Sequence, residues 1–232
     1  MKAAGRVYYA LAVALVPGLG ACVPGLESIA PSGLEPAPRD TIEAWLASYR
    51  PAGPVRYDVR WRFANQKGST AGRAAVRIAP PDTLRFDYRG PFGRSGAAVI
   101  VADSALWVAP ERDTRELLPA APLFWAALGI PQPPPEEAVV SSREAAGGRV
   151  WRYVSQADTM DFVEVGPGPE RLLTEVRRNG EIVASTEVRF RPGGRAPLEA
   201  RVRFPQDGSA LILTVEGVES VAAFDPSTWR RP

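Results

Sequence analysis

Cys22 is the only cysteine of the chain, and it closes the only long apolar run, in the stretch "LGAC" at 19–22. A lone thiol forms no internal disulfide and no cysteine-based zinc site, so its chemistry is that of a single nucleophile. The chain has no histidine, which removes the commonest metal ligand and the commonest general base near neutral pH. Acidic residues such as Asp103, Asp113, Asp158 and Asp161 are scattered and form no pair at a recognisable spacing. The sequence contains no Gly-rich phosphate loop, nucleophile elbow or metal-ligand cluster. This inventory predicts a protein that is not an enzyme and needs no cofactor. A second residue stands out for its surroundings. Phe92, in "GPFGRSG" at 90–96, sits among backbone breakers and away from any periodic apolar pattern.

Residues 1–21 read as a signal peptide. Lys2 and Arg6 form its basic start, and "VYYALAVALVPGL" at 7–19 is an apolar core interrupted by Pro17 and Gly18, too short for a membrane-spanning helix. Gly20 and Ala21 supply the small residues of a cleavage site. Leu-Gly-Ala-Cys resembles the lipobox of bacterial lipoproteins. The resemblance implies that the Cys22 thiol receives a diacylglyceryl group and becomes the new N-terminus; the other reading is a secreted protein with a free thiol. Several acyl chains, at about 0.8 kcal/mol per buried methylene, anchor a protein firmly. Val23 stands where an aspartate would favour inner-membrane retention in lipoproteins of this kind, so the resemblance leans towards the outer membrane. Residues 22–39 carry four prolines and no sustained periodicity, as a tether would.

Residues 40–232 form the expected single domain. The net charge is only +2, from 28 basic and 26 acidic side chains, which gives no electrostatic case for nucleic acid. The 24 prolines and 21 glycines recur between short apolar runs, as turns between strands require. A helix is predicted over 41–49, with Asp40 as its cap, Glu43 at the capping-box position, and Ile42, Trp45, Leu46 and Tyr49 on one apolar stripe. Strict alternation follows in "VRYDVRWRF" at 55–63 and in "LRFDYRG" at 84–90, the mark of one-sided strands. Further strands are predicted at 72–78, 97–102, 105–109, 149–155, 161–165, 171–178, 181–191, 197–204 and 210–218. Asn179-Gly180 is the strongest hairpin signal. Between them, "PAAPLFWAALGIP" at 119–131 reads as a short helix apolar on most faces and therefore buried. The fold class is mainly β: a curved antiparallel meander of about 11 strands, an open half-barrel covered by short helices. Such a curved sheet encloses apolar space. Trp61, Phe63, Phe86, Tyr88, Trp107, Phe124 and Trp125 are the candidate lining of that space, or else the side chains that fill it.

The order of lipobox, Pro-rich tether, amphipathic helix, meander, apolar mid-chain helix and second meander resembles the LolA/LolB group of lipoprotein carriers and receptors. "LRFDYRGPFGRSGAAV" at 84–99 is the most local similarity, and "RVWRYV" and "PLEARVRFPQDGSALILTVEGV" resemble later strands of that group. The resemblance implies a half-barrel that takes up acyl chains, with membrane lipid and lipoprotein acyl chains as partners and a soluble LolA-like periplasmic carrier as a possible donor. It implies residence at the periplasmic face of the outer membrane, with Phe92 as the protruding residue of a membrane-inserting loop; the other reading folds Phe92 back onto the sheet. A scaffold lipoprotein of the same fold without a ligand and a general lipid or glycolipid carrier are the alternative functions.

Overall fold

The computed structural model describes residues 29–30, 32–111, 114, 118–145, 148–156, 158–166 and 170–231. Among them run thirteen strands, all in one antiparallel sheet. They are β1 (Glu35–Pro36), β2 (Val55–Asn65), β3 (Gly68–Ala79), β4 (Thr83–Arg89), β5 (Ser95–Val101), β6 (Ser104–Ala109) and β7 (Val139–Ala145), then β8 (Gly148–Ser155), β9 (Asp158–Val165), β10 (Arg171–Arg178), β11 (Glu181–Phe190), β12 (Pro197–Phe204) and β13 (Ser209–Ser220). Two meanders, β2–β6 and β7–β13, are joined by the pairing of β13 with β2, and the sheet stays open with β1 and β6 at its edges. A bulge between Val215 and Gly217 interrupts that seam, and bulges increase local twist.

One face of the sheet is apolar and covered by two helices, α1 (Arg39–Ala47) and α2 (Ala121–Ala127). In β2, Val55, Tyr57, Val59 and Trp61 are buried on this inner face, while Asp58, Arg60 and Arg62 are exposed on the outer one. The predicted stripe of α1 packs inward, with Ile42, Trp45, Leu46 and Tyr49 all buried. Its start differs from expectation. Pro38 holds the N-cap position, no side chain caps the helix, and Asp40 stands in the first turn. There its charge favours the helix dipole. Arg39 explains the earlier start, since its guanidinium donates to the carbonyls of Pro134, Pro135, Glu136 and Ala138 and ties α1 to the Pro-rich loop.

Eleven of the strands are those the alternation predicts. The other two, β1 and β7, lack the signal: β1 has two residues, and β7 reads "VVSSREA" with Val139 exposed. Part of the segment read as tether is engaged with the domain. The Ile29 amide donates to Glu175 at 3.4 Å, Arg143 donates to the Ser32 carbonyl at 2.7 Å, and β1 pairs with β7. The C-terminal stretch 221–231 lies against the outer face of β4–β6, where Arg85 donates to the carbonyls of Thr228 and Arg230.

Gly72 is required by close approach. A Cβ there would lie 1.9 Å from the Arg89 carbonyl oxygen and 2.8 Å from the Trp61 ring. Only glycine lets β3 pass the end of β4 at the root of the Phe92 turn.

Candidate functional site

A cavity of about 970 Å³ opens on the inner face beside α2, within the size range of small-molecule sites (about 300–1,000 Å³). Strand register builds its wall. Tyr153, Met160, Val176 and Ala184 are successive partners across β8, β9, β10 and β11, so their side chains form one row on the inner face. Phe204 of β12 extends the wall, and Pro122, Leu123, Pro133 and Pro135 close the opposite side. The next row towards solvent is polar: Ser155 pairs with Asp158, which pairs with Arg178. Arg178 donates to both Asp158 carboxylate oxygens at 2.9 and 3.0 Å, and this bond holds the Asp158 carboxyl below its usual range. The mouth is thus charged and the wall apolar.

The row beneath, Trp151–Phe162–Thr174–Thr186–Val202, is buried and belongs to the packed core below the cavity wall. Its Trp151 Nε1, Thr174 Oγ1 and Thr186 Oγ1 have no hydrogen-bond partner among the described residues. Tyr153 is anchored by donating to the Gln132 carbonyl at 3.0 Å, and burial pushes its phenol well above the ordinary value. The cavity thus joins an apolar wall to a charged mouth, an arrangement suited to an apolar chain with a polar end.

The residues expected to line the cavity lie elsewhere. Trp61, Phe86, Tyr88, Phe124 and Trp125 are between 0% and 3% exposed and fill the core under β2–β5. Phe86 meets Phe124 edge-on at 5.3 Å, Trp61 meets Tyr88 edge-on at 6.0 Å, and Trp125 donates to the Ala102 carbonyl at 2.8 Å. Phe63, half-buried, packs at the margin of that core. Trp107 is on the opposite face. It pairs with Val99, which pairs with Arg85, and these positions share the outer side. There its indole donates to the Trp229 carbonyl at 3.0 Å and the Arg85 guanidinium sits 5.4 Å from its ring. None of the seven lines the cavity. The sequence signal that could have located the wall is the medium-sized apolar set on β8–β11, with Met160 as its flexible member.

The Phe92 turn projects from the β4–β5 junction. Pro91–Gly93 form a short 3-10 turn, closed by Gly90 N–H donating to Arg94 O at 2.7 Å and Arg94 N–H donating to Pro91 O at 3.2 Å. Phe92 is fully exposed (102%) and its backbone is left-handed, φ 57° and ψ 32°. Such a conformation costs a non-glycine residue about 1–2 kcal/mol. The side chain does not fold back onto the sheet. Cys22 lies outside the described residues.

Solved structures superpose on this open antiparallel sheet and its covering helices. A domain described as an outer membrane lipoprotein-sorting protein from Vibrio parahaemolyticus matches with TM-score 0.56 at 7% identity, covering 82% of this chain and 95% of that one. A LolA superfamily protein from Nitrosomonas europaea matches with TM-score 0.54 at 9% identity, covering 83% and 97%. The chain therefore has the LolA-type fold. No family model and no curated protein sequence matches it.

Proposed function

We propose that the protein is a non-catalytic lipid-binding lipoprotein of the bacterial envelope that takes acyl chains into the cavity beside α2. In its fullest form this reading is a receptor at the periplasmic face of the outer membrane. Cys22 carries the lipid anchor, a soluble LolA-like carrier delivers the passenger, and the Phe92 tip enters the membrane to release it. The cavity carries the proposal: an apolar wall of Tyr153, Met160, Val176 and Ala184 below a charged mouth at Asp158 and Arg178. Each methylene buried there contributes about 0.8 kcal/mol, and release requires only an equally apolar environment. The fold shared with the lipoprotein-sorting domain and the LolA superfamily protein supports the same reading.

The test is extraction of the folded, membrane-purified protein followed by mass spectrometry of non-covalent lipid, together with titration of a fluorescent fatty acid. Bound acyl lipid and saturable uptake are expected. Val176→Trp, which fills the wall, should weaken uptake at least tenfold while the protein still unfolds cooperatively. An aromatic-filled half of the core favours the second reading, a scaffold lipoprotein without ligand. Absence of lipid and of uptake in the wild type would establish that reading instead. Cys22→Ala should abolish membrane retention; unchanged retention would remove the anchor.

A further inference from the structure

The outer face beside the Phe92 turn carries two rows of arginines separated by a row of acids. Strand register fixes the rows: Arg56, Arg77 and Arg85 are successive partners across β2, β3 and β4. So are Asp58, Ala75 and Asp87, and so are Arg60, Arg73 and Arg89. The acids are used asymmetrically. Asp58 and Glu219 pair with Arg56, and Asp87 pairs with both Arg77 and Arg85, so the three arginines of the first row are balanced by three acids within the sheet. In the third row Arg60 pairs with Glu216 of the β13 bulge. Arg73 and Arg89, both exposed, have no acidic partner among the described residues. Like charges directly opposite on neighbouring strands destabilise a sheet, so this pair is held against its own repulsion.

Arg89 also ends β4. Its neighbour across β5 is Ser95, and between them lies only the turn that presents Phe92. The two free guanidinium groups therefore border a groove of about 880 Å³ on strands about 4.8 Å apart, one row behind a fully exposed aromatic tip.

We propose that Arg73 and Arg89 form a headgroup site for the phosphates of an anionic phospholipid bilayer, engaged when Phe92 enters the acyl layer. This rests on the membrane role proposed for Phe92 and adds to it a lipid class. Charge complementarity selects the occupant: two unpaired, bidentate-capable cations beside an apolar probe match a surface that is anionic outside and apolar within. Contact at the surface is expected to be salt-sensitive.

The experiment uses the full chain with Cys22→Ala and Phe92→Cys, the new thiol carrying an environment-sensitive fluorophore. It is mixed with vesicles of phosphatidylcholine alone or of phosphatidylcholine with phosphatidylglycerol. The proposal expects insertion of the probe into both, with tighter partition into the anionic vesicles. Arg73→Gln with Arg89→Gln should remove an advantage of about thirtyfold, at one factor per arginine near a charged surface. Arg201→Gln with Arg203→Gln removes the same charge from exposed positions on β12 and should leave the advantage in place. Because the Arg73 and Arg89 side chains make no hydrogen bond or ion pair among the described residues, their removal should leave the melting temperature unchanged or raise it. Equal insertion into both vesicles would overturn the headgroup site while leaving the Phe92 tip standing. Loss of the advantage in both double variants would also overturn it, as a net-charge effect. No insertion into either vesicle would overturn both readings.

Discussion

The two halves of the sheet share one alternation pattern but are not filled to the same depth. Under β2–β5 the inner face carries Trp61, Phe86 and Tyr88, and α2 drops Phe124 and Trp125 onto them, leaving a close-packed aromatic core. Under β8–β11 the row below the charged mouth carries Tyr153, Met160, Val176 and Ala184, and the facing side of the cavity is made of prolines and Leu123. Side chains that are smaller or unbranched do not span the gap between sheet and cover, and a cavity remains. The outer faces differ as well: β2–β4 leave arginines free, whereas Asp161 and Glu175 on β9 and β10 are buried and bonded to Arg152 and Arg177.

The comparison breaks first at Phe124. Phe124→Ala should cost about 3–5 kcal/mol in urea unfolding, because a fully buried ring leaves a cavity that rigid neighbours cannot close. A loss under 1 kcal/mol, as an order of magnitude for an unconstrained site, would mean that this half is not solid. Trp107→Ala tests the outer face: it removes the bond to Trp229 and the contact with Arg85, and should cost about 1–3 kcal/mol. It should also speed proteolysis beyond residue 220 while leaving fatty-acid uptake unchanged. Lost uptake would place Trp107 with the cavity after all.

Alkaline titration compares the halves directly. Burial raises Tyr57, on the solid side, to about 12, and raises Tyr153, on the cavity wall, well above its ordinary value. A raised folded-state value stabilises the fold fully below the unfolded value of 10.0. That contribution is lost as pH rises through the folded value. Unfolding free energy should fall between pH 10 and about 12, with phenolate absorbance from these two rings appearing only on unfolding. Tyr153→Phe should reduce the slope. The smallest effect belongs to the buried row below the wall. Thr174→Val removes a hydroxyl without a partner among the described residues and should be neutral or stabilising by up to about 1 kcal/mol in thermal unfolding; a clear destabilisation would reveal a partner.

Eleven strands, both helices and the open, curved sheet were legible because period-2 and period-3.6 patterns report one-sided burial. In β2 and β4 every second residue is apolar, and Asn179-Gly180 makes its turn with both residues at positive φ. The cavity was not legible, because periodicity says which face a residue takes and nothing of the distance across that face. Trp107 shows the cost. It belongs to an apolar strand, but Val99 opposite it is buried from outside by the C-terminal stretch, so both faces of β5–β6 are apolar and parity gives no direction. That stretch, and β1, are recruited by bonds to backbone carbonyls and amides, which leave no compositional trace.

The docking of the N-terminal segment has a geometric corollary. Ile29 is fastened at Glu175 on β10, so the seven residues from Cys22 to Ile29 span at most about 25 Å. Phe92 lies on the β4–β5 turn, six strand spacings away, or about 29 Å along the sheet. Under the proposed lipid anchor at Cys22 and entry of Phe92 into the membrane, the domain would rest on two points joined by a leash shorter than the contour of the curved sheet between them. With both contacts made, its freedom would be reduced to rocking about the line between them, and the cavity mouth would sweep a single arc above the surface.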